Sequence, residues 1–306
     1  MPTTPLLPQL LDRVAVGRPI TRGGISLVPV YIPQDLPEPI ATGAVAGLQI
    51  AEAPDAEVAR LSVTNGGNGP VLLVEGETVR GGLQQRTLNV SVLVPGKTRL
   101  DIPVSCVEAG RWNGGREFGR SPSFAPGPVR RSKVDSVREN LQRSGQKASD
   151  QGAVWSGVED TIRCFEIGSV TRNVADADEV FERDTPRWRA LRPLLETEPL
   201  PGQCGVVIFH GGRVAAAELF GAPELLRAHW SPMIRGHLLD TQAEVDGRPS
   251  LDRALRFLRR LGRARGETAA GVGLGAEIHL RSERVSGQAL VWEGALVHAS
   301  AFALAA

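Results

Sequence analysis

The first third of the chain shows the alternation of apolar and polar residues that is typical of β-strands. Residues 58–64 alternate in this way, and residues 65–70, with the sequence NGGNGP, are rich in turn formers. Residues 71–74 are all apolar, which predicts a short strand buried on both faces. Residues 25–32 are also strand-like, and their prolines favour a position at the edge of a sheet.

A β-hairpin is predicted just beyond this region. Residues 88–94 alternate between apolar and polar, and Pro95-Gly96 supplies a turn. Leu100, Ile102 and Val104 then alternate again. We therefore expect these two segments to pair with each other across the turn.

Helical periodicity replaces this pattern in the middle of the chain. Val134, Val137 and Leu141 are spaced at i, i+3 and i+7, and residues 154–165 carry a similar apolar stripe. Thr185 is a predicted N-cap, because a proline follows it at the first helical position. Further helix starts are predicted at Pro223, at Ser231-Pro232 and at Ser250.

The last third combines helices with antiparallel strands. Residues 205–209 and 214–220 predict a hairpin around His210-Gly-Gly-Arg213, and residues 268–302 predict a closing run of strands. Strands that are grouped apart from the helices and joined by tight turns indicate an α+β fold. The helix after Ser250 carries five arginines outside its apolar stripe, and we expect these to face solvent.

The order of these segments predicts a short N-terminal extension, residues 1–24, followed by one α+β domain, residues 25–303. Within the domain we expect a β-rich part (25–112), a basic loop rich in Gly and Pro (113–132), a helical part (133–197) and a mixed part (203–303). A loop of that length and charge is either mobile or able to close over an anionic ligand.

Composition narrows the class of protein. The formal net charge is only +1, and aromatic residues make up 5% of the chain, so a nucleic-acid partner is not expected. The three cysteines form no CxxC pair and the histidines have no ligand spacing, so no metal motif is present, although a divalent cation at paired carboxylates stays possible. No apolar run is long enough to span a membrane and no secretory signal is evident, so we expect a cytoplasmic protein without a membrane partner.

Glu75 and Glu77 follow the buried strand at 71–74 directly. If the backbone stays extended, both side chains point to one face. Such a pair is able to bind a cation or to keep one acid protonated for catalysis. The alternative, which we favour, is a solvated ion-pair network with Arg80 and Arg86.

A second polar group follows between residues 103 and 112. Cys106 has no neighbouring histidine to activate it, so a buried, inert thiol is expected. Arg111 and Trp112 suit a phosphate and a flat heterocycle, respectively, and Glu108 is a further candidate acid. The alternative is that Trp112 packs in the core while Arg111 pairs with Glu108.

The glycines at 271, 273 and 275 do not form a dinucleotide-binding turn, because the spacing differs and a strand rather than a helix follows. We expect them instead to permit a bulge or a close approach of two backbones. His279 and His298 lie on predicted strands, where an ordinary hydrogen-bonded histidine is the simpler interpretation.

Residues 74–112, 150–159 and 271–302 together resemble one prokaryotic family, the ARG and rhodanese-phosphatase superfamily associated protein domain of the first type. The most specific part is the segment that contains Gln84 and Arg86, combined with PVSCVEAGRW at 103–112. The family is named after genes for ADP-ribosylglycohydrolases and rhodanese or phosphatase superfamily members. The resemblance therefore implies a role near NAD and ADP-ribose metabolism, without catalytic residues to transfer.

Two hypotheses follow. In the first, the protein binds or processes an ADP-ribose-like or other phosphorylated nucleotide, with arginines on phosphate, Trp112 stacking and a carboxylate as base. The residues of that site would be Glu75, Glu77, Gln84, Arg86, Glu108, Arg111 and Trp112. In the second, the protein is a non-catalytic module that serves a partner encoded in the same operon, of the ADP-ribosylglycohydrolase or rhodanese/phosphatase type. Neither hypothesis decides whether the protein is an enzyme.

Overall fold

The computed structural model of the chain describes residues 6–43, 46–53, 58–111, 113–170, 172–240 and 246–304. Helices lie beside largely antiparallel sheets, which confirms the α+β class. The helices are α1 (Leu6–Leu11), α2 (Gly127–Ser144), α3 (Gln151–Cys164), α4 (Pro186–Leu195), α5 (Pro223–Leu238) and α6 (Leu251–Arg263), with a 3-10 helix at Val174–Glu182.

The largest sheet joins the two ends of the chain. With strands numbered in chain order, it contains β1 (Ala15–Val16), β2 (Ile20–Arg22), β3 (Ile25–Tyr31), β13 (Gly205–His210), β14 (Arg213–Phe220), β15 (Arg265–Ala270), β16 (Ala276–Arg281), β17 (Val285–Trp292) and β18 (Ala295–Ala303). Its order is β1-β3-β13-β14-β18-β17-β16-β15, and β2 also pairs with β3. The last strand, β18, therefore lies inside the sheet, between β14 and β17.

Two smaller sheets come from the segment between β3 and α2. Their strands are β4 (Ala41–Thr42), β5 (Gln49–Glu52), β6 (Arg60–Asn65), β7 (Val71–Leu73), β8 (Thr78–Gly81), β9 (Arg86–Leu88), β10 (Val92–Val94), β11 (Thr98–Cys106) and β12 (Phe118–Arg120). One sheet has the order β12-β8-β9-β11-β6-β5, and the other has the order β10-β7-β4, in which β4 and β7 are parallel.

Both faces of the large sheet are covered. On β13, Val206 and Ile208 join the core formed with α4, α5 and the 3-10 helix, whereas Val207 and Phe209 join the core formed with α1 and α6. This alternation is the period-two rule of a strand, applied to a sheet with apolar layers on both sides. The smaller sheets enclose a third core, which includes Val137 of α2.

The pairing of two predicted strands differs from expectation. β3 is not an edge strand, because it pairs with β13 on one side and with β1 and β2 on the other. Pro29 fits there because β1 and β2 pair with residues on either side of it, so no ladder bond needs its missing N–H.

The predicted hairpin between residues 88–94 and 100–104 is also wrong. The first segment divides into β9 and β10, and only β9 pairs with β11, whereas β10 pairs with β7 in the other sheet. Alternation correctly located the strands, but it does not encode which strand lies beside which.

Three segments contain structure that the sequence did not predict. Residues 6–24 do not extend away from the domain, since α1 packs on α6 and both β1 and β2 join the large sheet. The predicted loop at 113–132 contains strand β12, and α2 begins at Gly127. Pro232 lies inside α5 and does not start a new helix.

Several local predictions are confirmed by backbone contacts. Thr185 Oγ1 accepts from Trp188 N at the start of α4, and Ser250 Oγ accepts from Arg253 N at the start of α6. β13 and β14 form the expected hairpin. At Gly273 a Cβ atom would lie 2.1 Å from Leu93 O, so the glycine run does serve a close backbone approach.

Candidate functional site

Glu75 and Glu77 lie in a tight turn after β7, not in an extended strand. Glu77 N donates to Val74 O at 3.0 Å, and Gly76 has a φ of 85°, as the third residue of a type II turn requires. A Cβ atom at Gly76 would lie 2.3 Å from Arg130 Nε. The turn therefore directs the two carboxylates toward different partners, and the expected common face does not form.

Glu75 is completely buried in a network of charged groups. Its carboxylate accepts from Arg130 Nη2 at 2.8 Å and from Ser300 Oγ at 2.9 Å, and it lies 2.7 Å from Lys133 Nζ. Arg130 continues the network through its Nη1, which lies 2.5 Å from Glu218 Oε1. The negative charges of Glu75 and Glu218 are thus balanced by the positive charges of Arg130 and Lys133, as buried charges require.

Histidines and a serine complete this network. His237 Nε2 lies 2.7 Å from Glu218 Oε1, and His298 Nδ1 lies 2.8 Å from Ser91 Oγ. Ser91 Oγ also accepts from Glu75 N at 3.0 Å. His298 is therefore a hydrogen-bonded core residue, which agrees with the simpler interpretation of its sequence position.

Charge compensation controls the ionisation of the network. Burial alone would raise the pKa of Glu75, but Arg130 and Lys133 outweigh it and the pKa is lowered. The pKa of Glu218 is likewise held well below its usual value, against burial, mainly by Arg130. Burial lowers the pKa of Lys133 to about 8, and Glu75 opposes part of this decrease. The network is a structural core, since Glu75 has no exposed surface for a ligand.

Glu77 instead borders a small cavity of about 190 Å³ between the six-stranded sheet and α5. The cavity combines charged, hydroxyl and aromatic side chains in a confined space, which is the composition of a small-ligand site. Its lining residues are Gly43, Glu77, Thr78, Arg120, Ser121, Phe124, Ala228, His229 and Pro232. Hereafter this space is called the Arg120 cavity.

Glu77 is held on three sides in this cavity. Its Oε2 lies 3.1 Å from Arg120 Nη1, and its Oε1 accepts from Val74 N at 2.8 Å. The same Oε1 lies 3.4 Å from His229 Nδ1. Burial raises the pKa of Glu77, although Arg120 opposes the increase, so the neutral acid is favoured more than for an exposed glutamate.

The tautomer of His229 follows from its other neighbour. Thr42 Oγ1 donates its one proton to Leu72 O at 2.8 Å, so at the 2.6 Å contact with His229 it accepts from Nε2–H. Neutral His229 therefore presents an unprotonated Nδ1 to Glu77. Burial lowers the pKa of His229 to about 3, and the ring of Phe220 stacks on it with centroids 5.6 Å apart.

Two polar atoms that border the cavity have no partner. Thr78 Oγ1 and Arg120 Nη2 are buried, and neither has a hydrogen-bond partner among the described residues. Thr78 is only 3% exposed, so its hydroxyl lies well below the outer surface of the protein. An unsatisfied buried polar group costs about 1–3 kcal/mol, so an acceptor that paired with these two donors in the cavity would gain binding energy there.

The other predicted residues form a separate cluster. Arg111 makes two bonds to the Glu108 carboxylate, at 3.0 and 2.8 Å, and Gln84 Nε2 donates to Glu108 O at 2.9 Å. Arg86 is fully buried, and its Nε donates to Val58 O at 3.1 Å. The two bonds between Arg111 and Glu108 correspond to the ion pair that the sequence analysis gave as one of two alternatives.

The cluster does not extend to the Arg120 cavity. None of Gln84, Arg86, Glu108 and Arg111 is among the described residues that line it. Burial raises the pKa of the Cys106 thiol, which donates to Glu108 O at 2.8 Å, as expected of an inert cysteine. Trp112 lies outside the described residues.

The ion pairs that the sequence analysis expected between Glu75 or Glu77 and Arg80 or Arg86 do not form among the described residues. Arg80 pairs with Asp178, and Arg86 belongs to the Glu108 cluster, so neither one neutralises Glu75 or Glu77. Arg130 and Lys133 were counted as loop residues, yet they lie on the buried side of α2. Arg120 belongs to the basic loop that the sequence analysis considered for an anionic ligand. Sequence reasoning missed Thr78 and His229, and the one signal for the latter was a histidine within an apolar helix segment, 225–234.

The fold and the site together define an α+β protein with a neutralised charged core and a small polar cavity beside it. In the part of the chain that the structure describes, no helix is long and apolar enough to cross a membrane, and no group of three or more His, Cys, Asp or Glu side chains is placed to hold a metal ion.

Residues 13–302 match the ARG and Rhodanese-Phosphatase-superfamily-associated Protein domain, and the chain belongs to this family. The match confirms the resemblance read from the sequence and includes part of the predicted N-terminal extension. The family's name links it to ARG and to the rhodanese-phosphatase superfamily. Comparisons with curated proteins and with solved structures gave no match.

Proposed function

We propose that the protein binds a small anion, or the terminal phosphoryl or carboxylate group of a larger ligand, in the Arg120 cavity. The observation that carries this proposal is the pair of unsatisfied donors, Arg120 Nη2 and Thr78 Oγ1, beside one cavity. An arginine and a hydroxyl provide the charge-assisted and neutral hydrogen bonds that a phosphate or carboxylate accepts.

The raised pKa of Glu77 favours an anion further. When Glu77 is neutral, the charge of Arg120 is not compensated by its only ion-pair partner among the described residues, and the cavity carries a positive charge. A protonated Glu77 beside an unprotonated His229 Nδ1 also places an acid and a base within one site. Such a pair supplies general acid–base chemistry if the bound ligand has a group that exchanges protons.

The size of the cavity limits the ligand. At about 190 Å³ it is smaller than the roughly 300–1,000 Å³ of typical drug-sized ligand sites. An ADP-ribose-like nucleotide would therefore place only its ribose-phosphate end inside and leave the rest at the surface. The proposed link to ADP-ribose metabolism depends on this partial entry, and the Glu108 cluster would not provide the contacts.

Isothermal titration calorimetry with inorganic phosphate, ribose 5-phosphate and ADP-ribose tests the proposal. We expect at least one to bind the wild type, and Arg120→Met and Thr78→Val each to weaken that binding about tenfold or more, as loss of a charged or buried hydrogen bond predicts. Arg163→Met, at an arginine whose side chain is 74% exposed on α3, is the control and should bind normally.

Three results would refute the proposal. The first is no binding of any of the three ligands to the folded wild-type protein. The second is binding that Arg120→Met and Thr78→Val leave unchanged. The third is an equal loss in Arg163→Met, because that would indicate general charge attraction and not the cavity.

A second candidate is a non-catalytic module that acts with an ADP-ribosylglycohydrolase-type or rhodanese/phosphatase-type partner. The family name supports it, as does the internal use of the Glu108 cluster, which braces loops around β9 and β11. Mass photometry of the protein mixed with proteins of these types encoded beside it would detect a complex. Arg86→Ala should then reduce stability and leave ligand responses unchanged, and a strictly solitary monomer in every mixture would exclude this candidate.

A further inference from the structure

Helix α6 separates apolar and basic side chains on opposite sides. Ala254, Phe257, Leu258 and Leu261 are buried in the core that α6 shares with α1. Its five arginines are all exposed, at positions 253, 256, 259, 260 and 263, as the sequence predicts. Exposed arginines on an amphipathic helix need no explanation by themselves. These arginines, however, line concave surfaces.

Two concavities lie along this helix and share two of its arginines. One has a volume of about 440 Å³ and the other of about 550 Å³, and both are lined by Arg256 and Arg260. Because they share these residues, the two concavities lie side by side, and together they are called the groove below. The larger part has apolar residues among its lining, namely Val214, Phe257, Ala303 and Leu304.

Five arginines from three elements line this larger part of the groove. Arg253, Arg256 and Arg260 belong to α6, Arg213 begins β14, and Arg284 precedes β17. Arg253 donates to Gly212 O at 2.6 Å. In the described residues the other four have no ion pair with an acid, and no acidic side chain lines either part of the groove.

Two arginines that line the smaller part of the groove are, by contrast, close to an acid. Arg259 and Arg263 both lie near Asp12, at 3.8 and 3.2 Å. Like charges that converge without a counter-charge repel one another, so the larger part of the groove concentrates positive potential on a protein whose net charge is only +1. An anionic partner would relieve that repulsion on binding.

We propose that this groove docks an acidic segment of a partner protein, in which carboxylates flank an apolar side chain. The carboxylates would pair with the arginines, whose planar forks bind them with two bonds, and the apolar side chain would cover Val214 and Leu304. The inference goes beyond the Arg120 cavity and does not depend on it.

The apolar lining argues for a peptide over a nucleic acid. Single-stranded nucleic acids use exposed aromatic rings for stacking, and the aromatic side chain of the groove, Phe257, is 5% exposed. Duplex contacts are dominated by phosphates and need no apolar surface. An acidic peptide with one apolar residue uses both the basic and the apolar groups of the groove.

Fluorescence anisotropy tests the proposal with a labelled synthetic peptide in which Glu residues flank one Leu. Three comparison probes are the same peptide with Gln for Glu, the same peptide with Ser for Leu, and a single-stranded DNA oligonucleotide of equal length. We expect the Glu/Leu peptide to bind best. We also expect Arg256→Glu with Arg260→Glu to weaken it about tenfold or more, since charge reversal adds repulsion to the lost attraction. Arg163→Glu, at the exposed α3 position, controls for net charge.

Each alternative result overturns the proposal. No binding of the Glu/Leu peptide removes the docking surface, and tighter binding of the oligonucleotide assigns the groove to nucleic acid. An equal loss in Arg163→Glu shows that general attraction is sufficient. Equal affinity for the Ser peptide shows that the apolar lining has no role. Phosphate titration of the double variant keeps this result separate from the Arg120 cavity, because that binding should be unchanged.

Discussion

Arg130 and Glu218 form an ion pair of 2.5 Å in which both side chains are inaccessible to solvent. Arg130 also binds Glu75, so one guanidinium holds the turn after β7 against β14 of the large sheet. The structure depends on this residue because its removal leaves two buried carboxylates with reduced compensation.

Arg130→Met should therefore destabilise the protein by about 3–5 kcal/mol, the usual result of breaking a buried ion pair from one side. Arg131→Met is a matched control on the next residue. Arg131 pairs with Asp240 but keeps 29% of its side chain exposed, and its loss should cost about 1 kcal/mol or less. Urea denaturation of the two variants measures the difference, and equal values would contradict the structural role of Arg130.

Gly76 provides a second prediction about the same network. An alanine there meets both a φ of 85° and a Cβ position 2.3 Å from Arg130 Nε, and Arg130 is fixed by its two ion pairs. Gly76→Ala should therefore lower the melting temperature strongly. Gly24→Ala is the control, because Gly24 has a φ of 80° but no atom within 4 Å of the added Cβ. It should cost only about 1 kcal/mol, and a similar loss in both would show that backbone strain alone decides.

His229 predicts a specific dependence of stability on pH. Its folded pKa is about 3, against an ordinary value of 6.5, so between these values the unfolded state binds more protons. The contribution of neutral His229 to the free energy of unfolding is fully present above pH 6.5. It decreases as the pH falls below this value, by up to about 1.4 kcal/mol per pH unit.

His229→Gln removes this titration and can still donate to Thr42. Urea denaturation from pH 7 to 4 should show a shallower loss of stability for the variant than for the wild type. The raised pKa of Glu77 acts with the opposite sign, since it makes stability fall as the pH rises above about 4.5, but Glu77 is present in both proteins. Parallel pH profiles would contradict the assigned burial of a neutral His229.

Thr78→Val distinguishes a binding role from a structural one. The hydroxyl of Thr78 is buried without a partner among the described residues, so its replacement by a methyl group of similar volume removes a desolvation penalty. We expect the melting temperature of the free protein to stay the same or rise. Ser91→Ala is the contrast, because Ser91 Oγ contacts Glu75 N and His298 Nδ1, and its loss should destabilise by about 1–3 kcal/mol. A destabilised Thr78→Val would mean that the hydroxyl has an internal partner.

The fold was largely predictable where the signal is local. Turn residues, the caps at Thr185 and Ser250, and the strand periods depend on neighbours along the chain, and these predictions are confirmed. Strand pairing was not predictable, because alternation marks which face of a strand is buried and says nothing of its partner. The division of residues 88–94 between two sheets is the clearest example.

The site was predictable only in part, for a related reason. The position of Glu77 after a buried strand marked it as unusual, and it does border the cavity. Its cavity partners Arg120 and His229 come from distant segments, and Arg130 reaches Glu218 across 88 residues. A charged residue in a Gly/Pro-rich stretch is expected to be solvated, so burial of Arg130 and Lys133 becomes evident only when their counter-charges are in place.

The position of β18 between β14 and β17 affects how the protein is made. The large sheet cannot close around its centre until residues 295–303 have left the ribosome, although β3 of the same sheet is synthesised long before them. Until then β14 and β17 each present an unpaired edge, and such edges promote aggregation. The nascent chain is therefore expected to need protection by chaperones until β18 has emerged, and termination before β18 should yield an insoluble product.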